Sequence, residues 1–274
     1  GRVTLSATTT RPPVLNNRIE FANLDLSQLP IAIKPNSGKL SGTLQLSGPL
    51  PEPENLLTGK LKIDTTFKVA NLKMSDPPLE IQALSGKGVL KNGTLTHDLK
   101  GNLFGGKVST KGSLAFHKNK ERTLITANSN LILGQVALDW LPLFTQNEWA
   151  PTSGTVTGNM SIKGLLPSEG KVSPTLKLKG TLKGNKLVLG DPQRQIGSLK
   201  LAFKESSSTL TQVQVDLEKI KLEDRSFKKA SGLFQITPEK IDLTGGRVWP
   251  MSGLINLVGD LKPASGNYRL KFKG

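Results

Sequence analysis

The chain has 274 residues, enough for one long domain or two ordinary ones, with 36% apolar residues, 28 glycines and 5% aromatics. It has no cysteine, which excludes disulfides and thiolate metal sites, and its apolar runs are too short for a membrane-spanning helix. The net charge of +16 raises nucleic acid or an anionic membrane as partners, but the lysines alternate along the chain, as in Lys177, Lys179 and Lys183, and form no basic block interleaved with aromatics. They read as a solvated sheet face, with no nucleic-acid partner.

The chain opens on Gly1-Arg2-Val3-Thr4-Leu5, which looks like the tail of a module cut from a longer protein. From there apolar residues recur with period two. Ile19 and Phe21 flank Glu20, and Leu44 and Leu46 flank Gln45. Leu61 and Ile63 are followed by Phe67 and Val69, and Leu176 and Leu178 alternate with lysines. Val213, Val215 and Leu217 alternate with polar residues, then Ile220 and Leu222; near the end Tyr268, Leu270 and Phe272 do the same. Period two places one set of side chains on one face of a sheet, so each strand has an apolar and a charged face, which argues for antiparallel pairing.

Turn signals punctuate these runs: Pro35-Asn36-Ser37-Gly38, Asn92-Gly93, Gly105-Gly106, Lys183-Gly184-Asn185 and Gly245-Gly246. Ser47–Leu57, with three prolines, reads as a loop or bulged edge, and His117–Arg122 as a polar loop. Helical spacing is confined to Gly134–Thr145, interrupted by Pro142, and to a turn at Leu26–Leu29. At about 10–12 residues per strand and turn, the chain predicts roughly 22–26 strands, a sheet too long to stay flat and with no helices to cover its apolar face.

Several motifs occur twice. The Leu-Pro ending at Pro30 recurs at Pro142, an offset of 142 − 30 = 112, and Ser41-Gly42-Thr43 recurs at the same offset as Ser153-Gly154-Thr155. Leu72, Asp76-Pro77, Ile81 and Leu84 recur as Leu187, Asp191-Pro192, Ile196 and Leu199, offset 115. Gly105-Gly106-Lys107-Val108 then matches Gly245-Gly246-Arg247-Val248, which requires about 25 extra residues, roughly 203–227, in the second copy. The expected modules are 1–134, with 1–20 the tail of a preceding one, and 135–274, in one continuous elongated sheet.

Catalytic and metal-binding patterns are missing. His97 and His117 lie in polar settings without metal-ligand spacing. Gly101–Val108 nearly spells a phosphate loop, but Val108 stands where a hydroxyl would hold Mg²⁺. No nucleophile–base order or carboxylate pair stands out, so the chain reads as a non-enzyme with no metal and no cofactor.

The L-D-L…L-P entry, SGTLQLSG and SGTVTGNMSIKGLLP, the strand LKLKGTLKGNKLVLGDP, and the closing GGKV–KGSL and GGRV–SGLI resemble the AsmA-like superfamily of Gram-negative envelope proteins, including its TamB-like members. The resemblance covers nearly the whole chain, twice over. It implies an all-β fold: a long, mostly antiparallel sheet curled into a half-pipe, or β-taco, around an apolar groove. It also implies a periplasmic segment of a longer, inner-membrane-anchored protein that carries phospholipid between inner and outer membranes, with phospholipid acyl chains and components of both membranes as partners. The alternating sets Leu44, Leu46, Leu61, Ile63, Phe67, Val69, Leu176, Leu178, Val213, Val215 and Leu217 are the expected groove lining. The alternatives are a scaffold for outer-membrane protein assembly and a closed β-rich binding domain.

Overall fold

The computed structural model describes residues 2–4, 13–28, 35–52, 57, 59–75, 78–119, 122–143, 150–166, 175–190, 194–205, 210–237, 239–262 and 267–273. Pro30, Asp76-Pro77, Phe144 and Asp191-Pro192 of the sequence motifs lie outside these residues.

The strands are β1 (Arg2–Thr4), β2 (Val14–Asp25), β3 (Ser37–Pro49), β4 (Lys62–Ser75), β5 (Pro78–Lys91), β6 (Thr94–Leu103), β7 (Gly106–Asn119), β8 (Arg122–Ala137), β9 (Pro151–Leu165), β10 (Lys177–Leu189), β11 (Arg194–Glu205), β12 (Thr211–Leu222), β13 (Arg225–Ile236), β14 (Ile241–Pro250), β15 (Ile255–Lys262) and β16 (Asn267–Lys273). The only helical pieces among the described residues are 3₁₀ turns at Leu26–Gln28 and Leu141–Leu143. Two compact units divide the chain, Gly1–Leu131 and Ile132–Gly274.

In the first unit each strand from β1 to β7 pairs antiparallel with the next. In the second the same holds from β9 to β16. The architecture is all-β, antiparallel, open and curled. The described residues form sixteen strands where 22–26 were expected for the chain, because single strands run to as many as 16 residues.

The strands are long because several predicted turns are not turns. Lys183-Gly184-Asn185 lies inside β10, and Gly245-Gly246 lies inside β14 at a register shift between Leu243 and Gly246. Residues 117–119 extend β7, and β3 runs on to Pro49. Gly134–Ala137 is the end of β8 rather than helix. True hairpin turns fall at Asn92-Gly93 (φ 49° and 73°) and at Phe104-Gly105 (φ 51° and 69°), one residue before the predicted pair. Positive φ at both positions matches the right-handed twist of the flanking strands.

Mid-strand residues in the left-handed region do a different job. Asn71 (φ 51°), Lys186 (φ 50°) and Lys219 (φ 54°) each follow one exposed residue, so two exposed positions stand in succession. The apolar phase therefore jumps by one, from Val69 to Leu72, from Gly184 to Leu187 and from Leu217 to Ile220, while the apolar side chains keep to one face. This is the action of a β-bulge: one extra residue bends the strand without ending it.

The repeat has a different register from the one expected. A Cβ at Gly42 would collide with the Thr66 carbonyl oxygen and crowd Phe67 Cα; a Cβ at Gly158 would collide with the Thr181 carbonyl oxygen and crowd Leu182 Cα. Gly38 and Gly154 abut Leu72 and Leu187, and Gly48 and Gly164 approach the carbonyls of Lys60 and Thr175. All three pairs share one offset: 154 − 38 = 158 − 42 = 164 − 48 = 116. Gly42 thus corresponds to Gly158, and Ser153-Gly154 to Ser37-Gly38. No 25-residue insertion is needed either. The second copy places β12, the turn Glu223-Asp224 and β13 where the first has β6, Phe104-Gly105 and β7. The two GG[KR]V matches are unlike, one closing a hairpin and the other inside a strand.

Buried apolar side chains are few among the described residues. In the first unit they are Leu26, Leu61, Ile81 and Leu90, with Ala127; in the second they are Val136, Ala150, Leu187, Ile196, Val213 and Ile220. Leu187, Ile196 and Ile220 form a cluster against which Leu138 packs, just after β8. Its counterpart in the first unit brings Leu26, from the 3₁₀ turn after β2, beside Leu72 across Gly38. In each unit a leucine just after a long strand, Leu26 or Leu138, therefore packs at the end of the sheet beyond the kinks.

Candidate functional site: an apolar sheet face

Residues directly opposite each other in a ladder share a face, so the register sorts every side chain. In the first unit Leu46, Ile63, Leu90, Leu95 and Leu114 form one row across β3 to β7. Leu40, Val69, Leu84, Gly101 and Val108 form another, and Gly42, Phe67, Gly86, Leu99 and Thr110 a third. Phe67 stands between two glycines, Gly42 and Gly86.

The second unit carries longer rows. Met160, Gly180, Phe203, Val213, Phe234, Leu243, Gly259 and Leu270 cross all eight strands from β9 to β16 without a polar residue. Beside it run Gly158, Leu182, Leu201, Val215 and Gly232, then Val156, Gly184, Leu199, Leu217, Ala230, Val248 and Ile255. A depression of about 350 Å³ opens on this face between Phe234, Ile241, Leu243, Leu261 and Leu270.

The expected lining residues all lie on the apolar face of their own unit. Leu46 and Ile63 are direct partners; Leu44 pairs with Thr65, Phe67 with Gly42 and Val69 with Leu40. Leu61 precedes β4 and is almost closed off at 3% exposure. Leu178 pairs with Ile162, and Leu176 precedes it on the same face. Val213, Val215 and Leu217 face Phe203, Leu201 and Leu199. Sequence reasoning missed Leu84, Leu90, Leu95, Leu99, Met160, Leu199, Leu201 and Phe203 as members. Around Leu84 glycine interrupts the alternation, as in Leu84-Ser85-Gly86-Lys87-Gly88, whereas Leu199, Leu201 and Phe203 alternate plainly and were legible in the sequence.

Most of these side chains are half-buried: among the described residues none of the large ones falls below 2% exposure. Large apolar groups lie open toward the end of the second unit, with Phe272 70% exposed. Among the described residues, neither unit supplies a helix to lie over its own apolar face.

The opposite face is polar. In the first unit it carries Lys39, Lys68, Lys87, Lys100, Lys107 and Lys111 among serines and threonines. A depression of about 570 Å³ lies there, lined by Ser41, Thr66, Lys68, Ser85, Lys87, Asp98 and Lys100. Ion pairs such as Lys62–Asp64 (2.8 Å) and Lys111–Asp98 (3.6 Å) are solvent-exposed and add little stability. In the second unit Lys183 stands opposite Lys200 while Lys200 also faces Asp216.

No family model, no curated protein and no solved structure matches this chain.

Proposed function

We propose that the chain is a periplasmic segment of an AsmA-like protein whose apolar face walls a groove that carries phospholipid between the inner and outer membranes. The observation that carries this reading is the unbroken apolar row from Met160 to Leu270 on a single-layered sheet. Leaving a bilayer costs an acyl chain about 0.8 kcal/mol per CH₂, roughly 12 kcal/mol for sixteen carbons. Lysines act on headgroups at about 1 kcal/mol each near an anionic surface and cannot shelter the tails. A continuous apolar face can, and the half-exposed leucines leave it room to do so.

Leu178→Arg tests this. Leu178 is half-buried beside Ile162, so a folded variant can turn the guanidinium to water. With a photo-crosslinker at Leu176, the expected result is a wild-type chain that crosslinks phospholipid and a variant with an unchanged far-UV spectrum whose crosslinking falls at least tenfold. A variant that unfolds, or a wild type that never crosslinks lipid, overturns the conduit; the latter outcome points to a scaffold or a dry binding domain.

A further inference from the structure

The hairpin between β14 and β15 carries an apolar tip. Met251 is 68% exposed and Leu254 41%, with exposed Ser252 and Gly253 between them. Pro250, which precedes them, stands opposite Phe227 of β13, and Val248 and Ile255 form the last pair of the hairpin ladder on the apolar face. Two large apolar side chains in one exposed turn make a small patch rather than a scattered exposure.

Cations flank the tip. Lys229 stands opposite Trp249, its Nζ 5.8 Å from the ring centroid, and Arg247 lies two residues before the tryptophan on the same face. Lys228, in the bulge between Phe227 and Lys229, and Arg225, at the start of β13, are exposed as well. None of these four is ion-paired among the described residues. Against them stands Asp224 of the β12–β13 turn; its neighbour Glu223 lies 4.0 Å from Arg194.

A stable protein interface buries about 800 Å² on each partner, and two side chains at a turn supply only a fraction of that. The headgroup layer of an anionic bilayer needs no such area. There methionine and leucine leave water at the acyl boundary, an indole settles at headgroup level, and lysine and arginine meet the phosphates. We propose that the β14–β15 tip docks the second unit onto an anionic membrane surface, with Met251 and Leu254 inserted and Arg225, Lys228, Lys229 and Arg247 against the headgroups. This docking does not depend on lipid carriage along the apolar face.

The chain has no cysteine, so Ser252→Cys supplies one labelling site at the tip and Asn102→Cys one on the polar face of the first unit. The probe is a vesicle of phosphatidylcholine, with or without phosphatidylglycerol. On anionic vesicles a polarity-sensitive dye at the tip should shift to the blue, and one at Asn102 should not. In flotation assays Met251→Ser/Leu254→Ser should weaken binding by about tenfold or more. Lys228→Ser/Lys229→Ser should weaken it by a similar factor, whereas Lys68→Ser/Lys87→Ser, the same charge change on the first unit, should have little effect. Every residue changed is exposed, so the fold is kept. Equal losses from the two lysine pairs would reduce the binding to net charge and overturn the tip. So would full binding by Met251→Ser/Leu254→Ser, a tip dye that stays in water, or a wild type that floats with no vesicle. None of these results touches lipid carriage, because short-chain phospholipid supplied as monomers reaches the apolar face without a membrane. A wild type that docks on vesicles yet never crosslinks lipid at Leu176 keeps the tip and loses the conduit.

Discussion

A closed core and an open face answer truncation differently, and the second unit offers a matched pair. Leu187 is 2% exposed, packed with Ile196 and Ile220 under Leu138. Leu201 lies on the open rows between Leu182 and Val215, half-buried. Leu187→Ala removes transfer energy and leaves a cavity, for a loss of about 3–5 kcal/mol. Leu201→Ala removes three carbons worth about 0.8 kcal/mol each if fully buried; half-buried on an open face, with no cavity to maintain, it should lose about 1 kcal/mol. At an m-value of about 2 kcal/mol/M, urea midpoints should fall by about 1.5–2.5 M and about 0.5 M respectively. Both residues sit in one unit, so a single transition reports both. Equal large losses would mean that something covers the rows as tightly as the cluster, and the single-layer argument would fail.

The repeat register makes its own prediction. Gly42→Ala and Gly158→Ala should each destabilise their unit by about 2 kcal/mol or more, because a methyl would strike the neighbouring carbonyl in both copies. Gly245→Ala, where nothing lies within 4 Å, should change stability by less than about 0.5 kcal/mol; thermal melts of the three variants decide whether the GG[KR]V glycines matter. A third prediction concerns acid. Asp25 accepts hydrogen bonds from Ser27 N (3.0 Å) and Ser27 Oγ (2.7 Å), and these bonds, with Lys39 nearby, hold its carboxyl below the ordinary value. A lowered folded value means that the contribution is complete above the unfolded pKa of about 4 and disappears as pH falls through the folded one. The protection of the Ser27 amide, its exchange rate relative to the intrinsic rate at the same pH, should therefore fall in acid, and Asp25→Asn should flatten that response. Protection that is equally pH-dependent in the variant would remove the carboxylate from the explanation.

Fold class and candidate face were legible in the sequence because both rest on alternation, a local property. A run such as Val213, Val215 and Leu217 fixes which side chains share a face before any partner is known. Even the kinks left a trace: the apolar spacing widens from two to three between Val69 and Leu72 and between Leu217 and Ile220. Glycine concealed other members of the rows. Gly86, Gly101 and Gly184 hold places in the apolar rows but carry no side chain to signal it, and Lys183-Gly184-Asn185 looks like a turn until pairing on both sides shows a continuous strand. Only the ladder register could correct the repeat offset from 112 to 116 for the glycine motifs, because the close approach of Gly42 and Gly158 to neighbouring carbonyls is a contact between strands. The same holds for His97. It looks like a solvated histidine in Thr96-His97-Asp98, yet the ladder pairs it with Gly112 on the apolar face and sets its Nε2 3.1 Å from Thr110 Oγ1. The hairpin between β6 and β7 had to form before those two side chains could meet.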